Sequence, residues 1–248
     1  MPLRATLFAT LASVACAASA APLTADEIIA HNVAARGGAA QLVALATLRL
    51  TGHVVIPGAN LDLGIVQLSR RPDAIRQELT YQGLTQVQAW DGHEGWEVRP
   101  FQGRKDPARM SADDAKSLQL DADFETPLFN YRPKGHSVEY LGTEDVDGTP
   151  AYKLRVKLRW GDEITYWIDP DTWMIIRGLQ RQFQRGAEQV TEVDYGEYER
   201  VGGVYVPMTE EFGPKDSDST QKQKIVFESA EANVSVAPAV FAFPAAKR

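Results

Sequence analysis

Residues 24–46 contain two short stretches with the hydrophobic period of an α-helix. Thr24-Ala25-Asp26-Glu27 has the spacing of a capping box, in which the Thr24 hydroxyl and the Glu27 carboxylate each bond to the backbone of the other residue. Apolar residues then recur three and four positions apart until Gly37-Gly38, a pair that ends helices. A second, shorter helix is predicted from Ala39 to Ala46.

From Thr47 onward the hydrophobic period is two, which is typical of strands with one buried face. The clearest case is the segment 152–159, in which apolar residues alternate without error with Lys and Arg. Turn dipeptides such as Gln82-Gly83 and Asp91-Gly92 separate consecutive short strands. This order predicts an antiparallel meander rather than β-α-β units.

The meander is interrupted once, after its first five strands. The alternation breaks at Gly103–Met110, and Ser111 caps a third helix that extends to about Asp123. A sheet with so many sequential strands must curl, because a long flat sheet is unfavourable. The sequence therefore predicts a mainly β chain with few helices: an open antiparallel half-barrel of about eleven strands, with the helices covering its concave apolar face. The pattern leaves open whether the interior is empty or filled by side chains.

The first twenty residues have the pattern of a secretory signal peptide. A positively charged start and an apolar run, Leu7–Ala15, precede the cleavage-type triplet Ala18-Ser19-Ala20. We expect residues 1–20 to be removed and residues 21–248 to form a single domain, a common size for all-β domains. The alternative is a lipoprotein that is anchored to the membrane at Cys16.

The charge balance argues against two classes of partner. The chain has 26 Lys and Arg residues against 33 Asp and Glu residues, which gives a net charge of −7. A nucleic-acid binder needs a basic surface for the phosphates, and docking on anionic lipid headgroups needs a basic patch. We therefore expect no nucleic-acid partner, and any lipid should be bound in an apolar interior.

The sequence has no motif that would carry catalysis or hold a metal. The four histidines are scattered, without metal-ligand spacing: His31, His53, His93 and His136. A nucleophile motif is also lacking, and acidic pairs such as Glu210-Glu211 are interpreted as solvated surface charges or caps. We expect no metal, no cofactor and no enzymatic activity. An enzyme on this fold is the least favoured alternative, because a fold does not fix a function.

Arg71 is the charged residue with the least ordinary position. By strand parity it shares a face with Ile75 and Leu79, the expected apolar interior. An inward arginine needs hydrogen-bond partners, such as carbonyl groups of a covering loop or a carboxylate. The alternative is that Pro72 breaks the parity and leaves Arg71 in water at a strand end.

The predicted lining of a lipid-binding cavity follows from the same parity argument. It consists of Leu50, Val54, Ile56, Arg71, Ile75, Leu79, Trp96, Leu154, Val156 and Ile164.

The order of several short segments resembles the LolA-like superfamily of periplasmic lipoprotein carriers, and in particular its longer branch, the outer-membrane lipoprotein-sorting protein-like members. No single motif is diagnostic, and the resemblance lies in order and spacing over residues 24–244. The segments that carry it are Arg70-Arg71-Pro72-Asp73, Ala89–Trp96, Arg99-Pro100-Phe101, Gly103–Pro107, Glu144–Tyr152 and Phe241–Pro244.

The resemblance implies an open half-barrel of about eleven strands, helices that close its mouth, and a non-enzymatic periplasmic protein that shelters acyl chains. It also implies that Arg71, the arginine of the Arg-Pro motif, holds the helical lid shut by hydrogen bonds. Ile75 stands where the carrier has a bulky aromatic residue in its cavity. This departure leaves open whether this branch carries another lipid or senses rather than transports.

From these observations we expect a monomeric carrier in the periplasm of a Gram-negative bacterium. It would bind a lipid or the acyl chains of a lipoprotein, in outer-membrane lipoprotein sorting or envelope lipid transport, and its partners would be a lipid, an acylated protein or an envelope transport component. The alternative is an envelope stress sensor or scaffold that uses the same fold to bind a protein.

Overall fold

A computed structural model describes residues 23–184 and 186–245 of the chain. The predicted signal peptide 1–20 and Cys16 lie outside these described residues.

The described residues form thirteen strands, three α-helices and three short 3-10 turns. The helices are α1 Ala25–Ala35, α2 Ala39–Ala44 and α3 Lys116–Asp121. The strands are β1 Thr47–Ile56, β2 Leu61–Arg70, β3 Ala74–Tyr81, β4 Leu84–Trp90, β5 Gly95–Arg99, β6 Arg104–Arg109, β7 Ser137–Val146, β8 Thr149–Lys157, β9 Glu163–Ile168, β10 Ile175–Gln184, β11 Ala187–Val201, β12 Val204–Pro214 and β13 Gln223–Ala232. The 3-10 turns are Pro57–Ala59, Pro100–Gln102 and Pro238–Val240.

All thirteen strands belong to one open antiparallel sheet. Its order is β6-β5-β4-β3-β2-β1-β13-β12-β11-β10-β9-β8-β7, so every neighbour is consecutive in the chain except at the β1–β13 pair. β6 and β7 are the two edges and do not pair with each other. The prediction of an open, mainly β antiparallel architecture is confirmed.

The strand count exceeds the predicted eleven, and β6 accounts for the clearest difference. This strand lies in the segment that the sequence pattern marked as a break. All six of its residues are exposed, and it contains Pro107. An exposed edge strand needs no alternation and tolerates a proline, so its sequence has no strand signature.

The third helix is shorter than its predicted extent from Ser111 to about Asp123. The Ser111 hydroxyl accepts from the backbone N–H of Asp114 at 3.1 Å, as predicted for a cap. Regular α-helix begins only at Lys116, after a turn. The predicted capping box at Thr24 and Glu27 is present at the start of α1.

Each helix covers a different part of the concave face. Ile28 and Ile29 of α1 pack over β8, β9 and β10. Leu42 of α2 packs over β1, β12 and β13, and Leu118 of α3 packs over β3 and β4. Because β6 and β7 are opposite edges, residues 110–136 must cross from one edge to the other, and α3 lies on this crossing segment.

Candidate functional site

Arg71, at the turn between β2 and β3, ties the sheet to the helices. Its Nε–H donates to the Leu45 carbonyl at 2.7 Å, and Nη2 donates to the Leu42 carbonyl and to the Glu125 carboxylate. The first two acceptors lie at the C-terminal end of α2, where the last carbonyls of a helix lack partners within the helix. The interior alternative for Arg71 is therefore the one found, with both carbonyl and carboxylate partners.

Arg36, at the end of α1, is a second arginine with backbone partners. It is 5% exposed, and its guanidinium donates to the carbonyls of Glu125 at 2.5 Å and of Phe124 at 3.3 Å. Arg36 and Arg71 therefore meet at the same residue of the crossing segment, one at its backbone and one at its side chain. We term Arg36, Arg71 and Glu125 the arginine latch, because they join α1, α2, the sheet and residues 110–136.

Sequence reasoning did not find Arg36 or Glu125. Arg36 directly precedes Gly37-Gly38, the pair that ends the first helix, and nothing in this local pattern indicates a contact with a distant segment. Glu125 lies 54 residues from Arg71 in the chain, and no local pattern signals a contact of that range. The local sequence signal is that Glu125 is the single acidic residue of the largely apolar segment 124–131.

Nine of the ten predicted lining residues lie on the concave face. Leu50 and Val54 are buried in the cluster under α2, with Ile56 and Leu79 half-buried against it. Ile75 is fully buried under α3. The residues under α1 are Leu154, Val156 and Ile164. Arg71 is the ninth.

Trp96 lies on the opposite face of the sheet. It is paired in register with Ala89, whereas Ile75 is paired with Trp90, so the two tryptophans point to different faces. The Trp96 indole N–H donates to the Phe241 carbonyl at 2.7 Å, and its ring meets the edge of Phe243. Trp96 anchors the C-terminal segment on the convex face and does not line the concave interior.

The apolar lining under α1 is covered in this state. Leu154 and Val156 are both 0% exposed and belong to the same packed cluster as Ile28 and Ile29 of α1. An acyl chain can reach these two residues only after the helix moves. Side chains therefore fill the interior under α1, whereas Ile56 and Leu79 remain half-buried.

Two carboxyl groups of different elements have raised pKa values. The side chain of Asp121, on α3, is exposed, and that of Glu210, on β12, is half-buried. Burial raises the pKa of Asp121 to about 6 and that of Glu210 to about 7.

The sequence interpretation of Glu210 as a solvated surface charge is wrong. Both glutamates are half-buried, and they differ in face: Glu211 points to the convex face, whereas Glu210 continues the inward series of alternate β12 residues. The signal was present in the sequence as Val204, Val206 and Met208, the three buried residues of this series. The Glu210-Glu211 pair obscures this alternation, because two adjacent charged residues are typical of a solvated segment.

A row of amides crosses the concave face beside Asp121. The Gln77 amide donates to the Gln67 side-chain oxygen at 3.0 Å and to an Asp121 carboxylate oxygen at 3.4 Å. Gln88 is the next residue of this row, paired in register with Gln77. From there the row reaches a cavity of about 460 Å³ between the two halves of the sheet, lined by Gln88, Arg99, Met110, Asp114, Ser117, Gln184, Ala187 and Gln189.

Two tyrosines near Glu210 or in the cluster under α1 also have raised pKa values. Tyr195 of β11 is the cross-strand partner of Glu210, and burial raises its pKa well above the ordinary value. Burial likewise raises the pKa of Tyr166, and the charge of Asp123 adds to that increase.

The described residues contain no group of three or more His, Cys, Asp or Glu side chains placed to hold a metal ion. None of the helices in the described ranges has the length and apolar character that crossing a bilayer requires.

Comparison with known proteins identifies the fold. No family model and no curated protein matches the sequence. Among solved structures, a LolA superfamily protein from Nitrosomonas europaea is similar at 13% identity and a TM-score of 0.59, covering 89% of this chain and 98% of its own. A DUF1329 family protein from Desulfovibrio piger is similar at 12% identity and a TM-score of 0.56, covering 88% and 97%.

A third similar structure is a domain from Vibrio parahaemolyticus assigned as an outer membrane lipoprotein-sorting protein. Its identity is 10% and its TM-score is 0.58, with 88% of this chain and 95% of that chain covered. At such identities the common property is the fold.

Proposed function

The chain has the LolA-like fold, and from that premise we propose that it is a non-enzymatic periplasmic carrier that binds the acyl chains of a lipid or a lipoprotein. The observation that carries the proposal is the arginine latch over a concave apolar face. The similarity to a domain assigned to lipoprotein sorting supports the same function.

An acyl chain in water carries a free-energy cost of about 0.8 kcal/mol per methylene group. The packed concave face, with clusters under all three helices, offers the apolar area to offset that cost once a helix moves. An aliphatic surface is non-directional, so it can accept chains of different length.

The arginine latch supports a function in which the elements over the concave face move away from it and return. We term these elements, α1, α2 and residues 110–136, the cover. Arg71 and Arg36 hold the cover largely through backbone carbonyls, which remain acceptors whatever the helix sequence. In the closed state these polar contacts replace water. In the open state the guanidinium groups and carbonyls return to water, so the difference in free energy between the two states stays small.

Two experiments test the proposal directly. The first measures binding of a fluorescent fatty-acyl probe to the protein without residues 1–20. The second purifies the protein from a native periplasm, extracts it, and identifies any bound lipid by mass spectrometry. We expect saturable binding and co-purified acyl lipid. Absence of both would contradict the carrier function. A protein cross-linked to the chain without lipid would favour the sensor or scaffold alternative.

The place of binding is tested by changing a residue of the concave face that is not fully packed. Leu79 is half-buried against the cluster under α2. Leu79→Gln should weaken probe binding by roughly tenfold, the effect of about 1.4 kcal/mol of lost apolar contact. Leu84→Gln is the matched control, because Leu84 is exposed at the start of the next strand. Equal binding by both variants would place the site elsewhere.

A further inference from the structure

The cavity between the two halves of the sheet lies where two sets of amide side chains meet. From one half, Gln88 of β4 continues the row that begins at Gln67 and Gln77. From the other half come Gln184 of β10 and Gln189 of β11. The volume of about 460 Å³ is within the range of small-ligand pockets, roughly 300–1,000 Å³. The fold therefore brings uncharged polar groups from both halves around a space that can hold a ligand group.

Two buried N–H donors beside this cavity lack acceptors. Gln182 is 8% exposed and Trp90 is 9% exposed, and neither the Gln182 Nε2 nor the Trp90 Nε1 has a hydrogen-bond partner among the described residues. The side-chain oxygen of Gln182 accepts from the amide of Gln184 at 3.3 Å, so the unpartnered amide lies directly next to a lining residue. Trp90 lies two residues from Gln88 on the same face of β4. Buried donors without partners are costly, and a ligand with acceptor oxygens offsets this cost.

The lining distinguishes a neutral hydroxyl-bearing group from an ion. Amides and the Ser117 hydroxyl both donate and accept hydrogen bonds, and so does a ligand hydroxyl group. The described lining contains one charge of each sign, Arg99 and Asp114. Arg99 already donates to Glu97 at 2.6 Å, and Asp114 accepts from the Ser111 hydroxyl at 2.8 Å. An anion or a cation in this cavity would therefore meet a like charge, whereas a neutral group would not.

The polar cavity borders an apolar part of the interior. Met110 lines the cavity and also packs against the cluster under α3, which contains Ile75, Trp90 and Leu118. Ser117, which lines the cavity, directly precedes Leu118 on α3. A molecule with a polar head group and an apolar chain matches both parts, since a movement of α3 would expose the apolar cluster beside the cavity.

We propose that this cavity binds the neutral, hydroxyl-bearing head group of an amphiphile whose chain packs on the concave face under α3. The inference rests on the proposed function for the position of the chain, and it adds the chemical class of the cargo. Gln88 and Gln184, from opposite halves of the sheet, make hydrogen bonds with the hydroxyl groups.

The test compares four ligands with chains of similar length and different head groups: monodecanoylglycerol, decyl glucoside, methyl decanoate and decanoate. Each is titrated below its micelle concentration by calorimetry and by competition with the fluorescent acyl probe. We expect at least one of the two hydroxyl-bearing ligands to bind roughly tenfold more tightly than methyl decanoate, because two or more hydrogen bonds are added. The tighter of the two assigns the head group as a glycerol or a sugar. Binding of methyl decanoate or of decanoate at least as tight as that of both hydroxyl-bearing ligands would overturn the proposal.

Variants show whether the two amides cause the preference. Gln88→Leu and Gln184→Leu should each weaken binding of the preferred hydroxyl-bearing ligand by roughly fivefold and leave methyl decanoate binding unchanged. Gln86→Leu is the matched control, because Gln86 lies on the same strand and face as Gln88 and is not part of the cavity lining. An unchanged preference in both cavity variants, with melting temperatures showing them folded, would refute the assignment.

The outcomes separate this inference from the proposed function. Binding of the acyl probe, with equal affinity for the four decyl and decanoyl ligands, would support the carrier function and contradict the head-group site. Calorimetric binding of a hydroxyl-bearing ligand that depends on Gln88 and Gln184, without binding of the acyl probe, would support the head-group site and contradict the acyl carrier. Binding of neither would contradict both.

Discussion

Glu210 of β12 carries its charge at a cost in the folded state. Burial raises the pKa of Glu210 to about 7, above its ordinary value of 4.5. The folded state therefore binds the proton more tightly than the unfolded state, and the free energy of unfolding falls as the pH rises from about 4.5 through 7. Glu211 points to the other face of the strand.

Glu210→Gln should remove this loss of stability. We expect the variant and the original protein to have the same free energy of unfolding near pH 4.5, and the variant to be more stable by roughly 2 kcal/mol at pH 8. This gain is smaller than the full pKa difference implies, because solvent reaches part of the Glu210 side chain. Urea unfolding at the two pH values measures this, with Glu211→Gln as control. An equal gain at both pH values would mean that the charge is not the cause.

At the scale of elements, α2 depends on a residue outside itself. The helix has only six residues, too few for stability alone. Its C-terminal carbonyls are satisfied by Arg71, and its apolar side packs through Leu42 on the sheet. Opening of this part of the cover therefore requires the loss of the Arg71 contacts.

Arg71→Leu should open the cover more than it destabilises the sheet. We expect hydrogen exchange of α2 and of residues 124–126 to accelerate roughly tenfold, equivalent to about 1.4 kcal/mol, and β8 and β9 to be unaffected. Release of a bound acyl probe should accelerate with it. Arg70→Leu is the control, since Arg70 points to the opposite face at the end of β2. Uniform acceleration across the sheet would indicate general destabilisation instead.

Elements with one buried face were predictable from the sequence, and the others were not. β8 was evident, because burial on one face imposes alternation on eight consecutive residues. β6 was not, because both of its faces are exposed. Within the site, parity placed Arg71 inward and required carbonyl or carboxylate partners, and the structure contains both. The identity of the carboxylate partner, Glu125, depends on the path of residues 110–136 across the sheet. The hydrophobic period of a local segment contains no information about that path.

The whole molecule depends on the β1–β13 pair, which joins the two meanders into one sheet. The register of this pair shifts between Thr51 and Gly52. A Cβ atom on Gly52 would lie 1.9 Å from the Val226 carbonyl oxygen, so only glycine fits. Gly64, on β2, has open space by comparison, with its nearest atom at 3.9 Å.

Gly52→Ala should therefore destabilise the protein by about 1–3 kcal/mol, because the backbone of β13 must move. Gly64→Ala should change the free energy of unfolding by much less. Thermal or urea unfolding of the two variants measures the difference. Similar values for both would mean that the β1–β13 pair adjusts without strain.

The β1–β13 pair also sets the order in which the sheet is assembled. The partners are separated by almost the whole described chain, a contact of very high sequence separation, and such contacts form late and slowly. Until β13 is in place, β1 and β12 are unpaired edges of ten and eleven residues. Long free edges are templates for aggregation. Folding would therefore leave two long edges open to pairing with other chains until β13, the last strand of the described residues, has paired with both.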